Sequence, residues 1–311
     1  MHLMNQTSLK DFILLGLTED QRLKIPLFIL FTGVYITTVL GNISIIALIS
    51  ISPRLHTPMY FLITVLSFVD LCYSTVITPN MLANFLSEIQ KIDFHQCLAQ
   101  LFFFVAFGSM DGLILAIMAY DRYNAICKPL HYHVLMTKRV YISLVIAACT
   151  IGSVNSLIHT LCILRLNFCE DNLIFHFFCD IPPLLKISCS DTTLNEIVLF
   201  AVAGCVEVGS LFVILLSYTC IIWTIINIKS SEGRQRAFST CVSHLVCVTM
   251  FYTPVLFMYL RPSSIYSMDQ DRVASVFYTV IIPMLNPMIY SLRNKDVKEA
   301  LSTLIQRTPL L

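Results

Sequence analysis

The chain has 311 residues, of which 57% are hydrophobic and only 13% are Asp, Glu, Lys or Arg. A soluble domain usually carries about 25% charged residues, so this chain lacks the side chains needed to cover a water-soluble globule. The formal net charge of +1 and the lack of a basic run give no basis for binding nucleic acid, and no such partner is expected.

Seven stretches of the chain carry at most one charged residue each. Each is close to or above the roughly 20 residues that cross a bilayer as a helix. Helices are expected because lipid cannot hydrogen-bond to open backbone groups. The sequence therefore predicts an all-α membrane protein, with a seven-transmembrane helix bundle within residues 25–292. The expected spans are residues 25–50, 58–80, 96–121, 140–163, 196–228, 237–260 and 271–291.

The segments on either side of this bundle differ in charge. Residues 1–24 are polar and do not read as a cleavable signal peptide. Residues 293–311 form a tail that is expected to begin with a short amphipathic helix. The side of the membrane that holds the N-terminus carries eight Lys/Arg and twelve Asp/Glu, and the other side carries twelve Lys/Arg and four Asp/Glu. This basic excess predicts an extracellular N-terminus and a cytoplasmic C-terminus.

Four cysteines lie on the predicted extracellular side: Cys97 at the outer end of the third span, and Cys169, Cys179 and Cys189 in the longest loop. That side is oxidising, so two disulfides are expected, and four cysteines allow three pairings. The remaining eight cysteines lie in or near the spans and fit packing roles. Asn5 begins an Asn-x-Thr glycosylation acceptor on the same outer side.

The third span carries an acid and a base on one face. Asp111 and Arg122 are eleven residues apart, which is about three helical turns or 16 Å. Their shared face runs from an apolar outer end, past a buried acid, to an arginine at the cytoplasmic mouth. This layout suits a protein that detects a signal at its extracellular end and transmits it to its cytoplasmic end. The alternative is a surface ion pair between Asp121 and Arg122, which would contribute about 0–1 kcal/mol.

Asp70, Asp111 and Glu207 fall inside predicted spans. Each is expected to face the bundle interior, because an acid at bilayer depth costs about 2.5–3.5 kcal/mol on insertion scales. For Asp70 and Asp111, the functional interpretation is a polar cluster that rearranges between two states, and the alternative is a static polar core. Glu207 either points into a ligand cavity or pairs with a neighbour such as His159. The expected members of the cluster are Asn42, Asp70, Asp111 and Asn286.

Short motifs recur on several of the segments in a fixed order. They are Gly41-Asn42, LHTPMYFL at 55–62, MAYDRYNAICKPLHY at 118–132, SY at 217–218, AFSTCVSH at 237–244 and PMLNPMIY at 283–290, followed by LRNK at 292–295. With these motifs the chain resembles vertebrate olfactory receptors, a branch of the rhodopsin-like G-protein-coupled receptors. The resemblance extends from about residue 5 to residue 303, nearly the whole chain.

The resemblance implies a multi-pass plasma-membrane receptor, embedded in the lipid bilayer, with no catalytic residues and no metal site. It implies that small volatile ligands bind within the bundle and activate a heterotrimeric stimulatory olfactory G protein, which raises cyclic AMP. Arg122 would engage that G protein after an outward shift of the sixth span around Pro254. The coupling and switch residues would be Asp121, Arg122, Tyr123, Tyr218, Asn286, Pro287 and Tyr290.

The resemblance also implies two disulfides, Cys97–Cys179 and Cys169–Cys189. No cofactor is expected, apart from a sodium ion considered at Asp70 and Asp111. Two positions depart from the family pattern: Asp111 replaces a usual glutamate, and Asn124 replaces a usual valine. The first departure puts ion binding in doubt, and the second is expected to alter the strength of coupling.

Helical spacing indicates which residues of the outer half face inward and line a ligand cavity. The set is mostly apolar with a few hydrogen-bonding groups, as ligand pockets usually are. Ser109, Tyr252 and Tyr259 are the preferred polar anchors, and the alternative is that these residues only pack against each other. The full set is Phe104, Val105, Gly108, Ser109, Gly112, Val202, Val206, Glu207, Tyr252, Val255, Leu256, Tyr259, Tyr278 and Thr279.

Other functional classes fit the sequence less well. A transporter would show matched halves around a midplane site, and a channel would show rings of charge or a filter loop. An intramembrane enzyme would show a motif such as His-Glu-x-x-His or Gly-x-Ser-x-Gly, and neither occurs. A rhodopsin-like receptor for a non-odorant small ligand is the nearest alternative.

Overall fold

The computed structural model describes residues 11–18, 20–87, 90–168, 172–260, 268–293 and 295–307. The first four spans are single helices: Gln21–Ile51, Pro58–Leu86, Phe94–Cys127 and Lys138–Leu164. The fifth span joins helix Thr193–Val198 through the π-helical turn Leu199–Ala203 to helix Gly204–Ile226. The sixth span is Ser231–Leu260, and the seventh joins Met268–Val276 through the π-helical turn Phe277–Ile281 to Ile282–Arg293.

Six of these helices are long and apolar enough to cross a membrane, and the sixth span contributes the shorter apolar stretch Cys241–Phe257. The predicted seven-helix bundle is therefore confirmed. The tail helix Lys295–Arg307 follows the seventh span. It buries Val297 and Ala300 and exposes Asp296, as an amphipathic helix does. The Tyr60 hydroxyl donates to the Asp296 carboxylate over 2.9 Å and ties this helix to the second span.

Local sequence signals fix where several spans begin and end. The Asp20 and Asp93 carboxylates accept the backbone N–H groups of Arg22 and His95, each over 2.9 Å, and so cap the first and third spans. The second span has Pro58 in its first turn, where a missing N–H costs nothing. The short helical turns Pro53–Leu55, Pro129–His131 and Tyr132–Leu135 occupy the first and second cytoplasmic connections.

The third span lies at the centre of the bundle and packs against the second, fourth, fifth and sixth spans. Two buried apolar clusters surround it. One fills the cytoplasmic half, and the other fills the extracellular half together with the outer loops. At Gly152 of the fourth span, a Cβ atom would lie 2.9 Å from the Ala106 carbonyl oxygen, so this glycine permits close approach to the third span.

Three short strands cover the extracellular end, a feature that the all-α prediction did not include. Phe12–Leu14 lies between the other two, antiparallel to Gln90–Ile92 and parallel to Leu173–Ile174. The Phe12 and Leu14 side chains point into the outer cluster. The loop then continues through the buried Phe177 and Phe178 into the short helix Ile181–Lys186. The loop and the N-terminal strand therefore form a lid on the bundle.

Candidate functional site

The lid is fixed to the third span by a disulfide. Cys97 is bonded to Cys179, as the resemblance implied. The side-chain oxygen of Gln100 accepts the Cys179 backbone N–H over 3.0 Å, one turn further into the bundle. Cys189 is also disulfide-bonded, and its expected partner, Cys169, lies outside the described residues. Asn5, the predicted glycosylation acceptor, also lies outside them.

The lid buries two of its described titratable groups, His176 and Asp180. Burial lowers the pKa of His176 to about 3, and the nearby Arg272 guanidinium lowers it further, so the imidazole is neutral. Neither ring nitrogen of His176 has a hydrogen-bond partner. Burial raises the pKa of Asp180 to about 7. The backbone N–H of Ile181, which donates to the carboxylate over 2.7 Å, partly opposes this rise. The Asp271 carboxylate also raises the pKa of Asp180.

An aromatic cluster lies directly beneath the lid. The Phe104 ring is 4.8 Å from the Phe178 ring, 5.7 Å from the Tyr73 ring and 6.3 Å from the Tyr278 ring, centroid to centroid. Phe104, Tyr278 and Tyr73 come from the third, seventh and second spans, respectively. Phe104 and Tyr278, which both belong to the predicted ligand set, therefore lie together. Gly108 faces the second span, because a Cβ atom there would lie 3.6 Å from the Tyr73 ring.

The middle of the bundle holds polar side chains of the fifth and sixth spans, which lie beside Gly112 of the third span. The Tyr252 hydroxyl and the Ser210 hydroxyl are 2.7 Å apart and join the sixth span to the fifth. A Cβ atom at Gly112 would lie 3.2 Å from the Tyr252 hydroxyl and 3.1 Å from Glu207 Oε2. Gly112, Glu207 and Tyr252 therefore meet at one point, as the predicted ligand set requires.

Several other residues of the predicted ligand set do not face this point. Ser109, expected to be a polar anchor, accepts the Asn155 side-chain N–H over 2.9 Å and so faces the fourth span. The Thr279 hydroxyl donates to the Ser275 carbonyl of its own span over 2.7 Å. The Tyr259 side chain lies outside the described part of the chain. Val105 packs against the outer apolar cluster, and Val255 and Leu256 pack against the inner one. The remaining apolar members, Val202 and Val206, are half-buried.

The two best-formed pockets in the described part of the chain lie elsewhere. One, of about 260 Å³, is near the lid and includes Leu17 and Arg272 in its lining. The other, of about 340 Å³, lies between the third and fifth spans near the cytoplasm and includes Tyr123 and Trp223. No member of the predicted ligand set lines either pocket. Among the predicted residues, Glu207 and Tyr252 lie beside Gly112, and the Phe104 and Tyr278 ring centroids are 6.3 Å apart.

The predicted polar cluster is divided into separate contacts. The Asn286 side-chain amide donates to both carboxylate oxygens of Asp70, over 3.2 and 2.9 Å. Asn42 does not bond to Asp70: its amide donates to the Thr38 and Pro283 carbonyls over 2.9 and 3.0 Å. Asp111 Oδ1 is buried and has no hydrogen-bond partner.

At the cytoplasmic end, the predicted switch residues are engaged across spans. The Asp121 carboxylate accepts the Tyr132 hydroxyl over 2.8 Å. Burial, with the Asp121 carboxylate nearby, raises the pKa of Tyr132, so its hydroxyl keeps the proton that it donates. Arg122 Nε is buried without a hydrogen-bond partner. Asp121 is 1% exposed, and the Arg122 guanidinium is close enough to act on it electrostatically. The two residues therefore do not form the surface ion pair considered as an alternative.

The fifth and sixth spans are joined beside Arg122. Tyr218 OH lies 2.8 Å from His244 Nδ1, and His244 Nε2 lies 3.1 Å from the Leu115 carbonyl of the third span. Since a carbonyl only accepts, Nε2 carries the proton and Nδ1 accepts the Tyr218 hydroxyl. One neutral imidazole thus links three spans. Among the other predicted switch residues, Tyr290 is buried, and Tyr123 has the Lys128 ammonium 5.2 Å from its ring centroid.

Comparison with known proteins places this arrangement in a family. The family model described as "Olfactory receptor" matches residues 31–307. The chain belongs to the olfactory receptor family. It is 52% identical over 303 residues to Olfactory receptor 5F1 of Homo sapiens, covering 97% of this chain and 96% of that protein. It is 52% identical over 305 residues to Olfactory receptor 5AR1 of Mus musculus, covering 98% of each.

A solved structure supports the fold of this olfactory receptor. The crystal structure of squid rhodopsin matches with a TM-score of 0.70 and 19% identity, covering 91% of this chain and 81% of that one. The receptor is therefore a multi-pass plasma-membrane protein with the rhodopsin fold, and it is not an enzyme.

Some contacts that organise this receptor were not identified from the sequence. Ser210 lies three residues after Glu207 and so shares its face, a spacing that could have revealed it. His244 was part of a recognised motif but had no assigned role. Asn155 had no signal of its own, because a lone amide in an apolar span does not indicate its partner. The bond between Tyr132 and Asp121 depends on the fold of a connection and not on spacing.

Proposed function

We propose that this olfactory receptor binds small, mostly apolar volatile molecules between its third, fifth and sixth spans and activates a stimulatory olfactory G protein, which raises cyclic AMP. The observation that carries the proposal is the His244 link between these spans beside Arg122. A link of this kind lets a change at the ligand site reach the cytoplasmic end.

The mechanism needs only a ligand that binds the active state better than the resting state. A tenfold preference corresponds to about 1.4 kcal/mol. Outward movement of the sixth span around Pro254 would break the Tyr218 and Leu115 contacts of His244 and open a pocket beside Arg122. The Asp121 carboxylate is already held by Tyr132, so Arg122 is available to the G protein.

A sodium ion at Asp70 and Asp111 is part of the proposal. The unpartnered Asp111 Oδ1 fits a cation, since it is a buried carboxylate oxygen with no donor. Asp70 fits less well, because the Asn286 amide already satisfies both of its oxygens. Asp111 would therefore be the main protein ligand of such an ion.

The test measures cyclic AMP in cells that co-express the receptor and the olfactory stimulatory G protein, across a panel of volatile compounds. Arg122→Ala should abolish a dose-dependent rise at equal surface level. Arg139→Ala, which removes an exposed cytoplasmic arginine, is the matched control and should leave the response unchanged. A response that survives Arg122→Ala would contradict the proposed coupling. A response only to non-volatile ligands would favour a non-odorant receptor.

A further inference from the structure

Two acids in the middle of the bundle each have a buried oxygen without a hydrogen-bond partner. They are Asp111 on the third span, which is 4% exposed, and Glu207 on the fifth span. The oxygens are Asp111 Oδ1 and Glu207 Oε2. Buried carboxylates are normally hydrogen-bonded or paired with a cation. Both acids therefore have an open capacity to accept hydrogen bonds.

The electrostatic surroundings of Asp111 consist of further acids, and no described base acts on it. The groups that act electrostatically on Asp111 are Asp70 and Glu207, both acidic. The Asn286 amide satisfies Asp70 but reaches neither of the other two. Arg122 acts on Asp121, Tyr218 and His244 nearer the cytoplasm. A cation at the level of Glu207 would thus supply what the described side chains do not.

The groups around Gly112 form a cradle of suitable chemistry. The positions next to its absent Cβ are occupied by Glu207 Oε2, the Tyr252 hydroxyl and the edge of the Phe251 ring, at 3.1, 3.2 and 3.4 Å. The Ser210 hydroxyl supports Tyr252 from behind, over 2.7 Å. The cradle therefore offers a carboxylate and a hydroxyl, with the edge of one aromatic ring beside them.

We propose that the receptor's ligands are small primary amines, bound as ammonium ions with Glu207 as the anchor. This inference rests on the proposed function and specifies its ligand class. An ammonium group has three donors, of which one would bond to Glu207 Oε2 and one to the Tyr252 hydroxyl. Its charge strengthens the bond to the Glu207 carboxylate, which a neutral donor cannot match.

The same cradle disfavours the neutral analogue. An alcohol offers one neutral donor, so it can bond to Glu207 Oε2 but forms no charge-assisted hydrogen bond there. An amine should therefore be more potent than the alcohol of the same shape, and this difference should depend on Glu207.

The experiment compares butylamine, isoamylamine, cyclohexylamine, benzylamine and phenethylamine, each with its matching alcohol. Receptor-dependent cyclic AMP is measured together with the ligand-induced rise in apparent Tm of the purified receptor. At least one amine is expected to be about 10- to 100-fold more potent than its alcohol, the range for a charge-assisted hydrogen bond. Glu207→Gln should remove this advantage. Glu196→Gln, at an exposed acid of the same span, should preserve it.

The outcomes separate this inference from the proposed function. An amine that raises Tm through Glu207 without raising cyclic AMP supports the ligand class and contradicts the signalling. Arg122-dependent signalling to other volatiles, with no amine more potent than its alcohol, supports the signalling and overturns the ligand class. If sodium in place of potassium raises Tm through Glu207 and no amine adds to it, the acids bind a metal cation only, and the inference fails.

A second variant keeps the test decisive if Glu207→Gln does not fold. Glu207→Asp retains the charge and shortens the side chain by one methylene group. It should reduce the potency of the amine without removing the preference over the alcohol. Equal amine responses in Glu207→Asp and the wild-type receptor would overturn the assignment of Glu207 as the anchor.

Discussion

The contact between the third and fourth spans at Gly152 gives a direct test of the packing. In Gly152→Ala, the new Cβ atom would lie 2.9 Å from the Ala106 carbonyl oxygen and 3.0 Å from Met110 Cγ. The carbonyl belongs to the helix backbone and cannot move alone, so the two spans must separate. Overpacking of this kind costs about 1–3 kcal/mol.

Separation of these spans also strains the hydrogen bonds on either side of Gly152. Asn155 donates to the Ser109 hydroxyl, and the Ser156 hydroxyl donates to the Phe102 carbonyl. Each such bond contributes about 0.5–1.5 kcal/mol, and the better helix propensity of Ala offsets about 0.5–1 kcal/mol. The net expected loss is therefore about 1–3 kcal/mol of unfolding free energy.

Gly209→Ala is the matched control for this substitution. It makes the same chemical change in the fifth span, where nothing lies within 4 Å of the added Cβ atom. It should raise stability by about 0.5–1 kcal/mol through helix propensity alone. The assay is the apparent Tm of both purified receptors in one detergent at one heating rate, because such unfolding is commonly irreversible. Equal shifts of the same sign would refute the packing argument.

Two further predictions concern the lid and the second and seventh spans. Because the pKa of Asp180 is raised to about 7 from an ordinary value near 4, its folded form holds a proton that the unfolded form releases, so stability falls as pH rises from about 4 to 7. Asp180→Asn keeps the helix cap and should lose less stability over this window than the wild-type receptor, by up to about 1.4 kcal/mol per pH unit. The measurement is the Tm of both receptors at pH 5 and pH 7. The same change of Tm with pH in both would contradict the assigned pKa. Asn286→Ala should lower the unfolding free energy by about 1.5–3 kcal/mol, because it removes the amide nitrogen that donates to both oxygens of Asp70. Asn227→Ala, at an exposed amide, should change Tm little, and similar losses in the two variants would show that the Asp70 contact contributes nothing specific.

The spans could be predicted from the sequence because lipid imposes a simple rule on composition. Long uncharged stretches must be helical at bilayer depth, and their number and order give the bundle. The pairing of Cys97 with Cys179 came from the resemblance and not from spacing, since four outer cysteines allow three pairings. The short strands could not be predicted, because Phe12–Leu14 and Leu173–Ile174 acquire order only by pairing across the chain.

The candidate site was only partly predictable, because helical spacing gives a direction and not a partner. Glu207 and Tyr252 were correctly placed on inward faces and meet at Gly112. Ser109 was placed on the same interior face of the third span, but the nearer fourth span supplies its partner, Asn155. The π-helical turn Leu199–Ala203 also shifts the register of the fifth span, which a constant 3.6-residue period cannot show.

The height of each contact along the third span suggests how the ligand site and the cytoplasmic end are coupled. Leu115, which accepts the His244 bond, lies three residues after Gly112 and seven before Arg122, or about 4.5 and 10.5 Å along the axis. The sixth span is therefore held to its neighbours at two levels, by Tyr252 near Gly112 and by His244 near Leu115. Moving this span outward breaks both His244 bonds, at about 1 kcal/mol each. A shift from 1:99 to 99:1 needs about 5.5 kcal/mol of differential affinity. A ligand that satisfies the unpaired Glu207 oxygen only when the sixth span moves would contribute part of that difference at the level of Gly112, one turn from the contacts that must break.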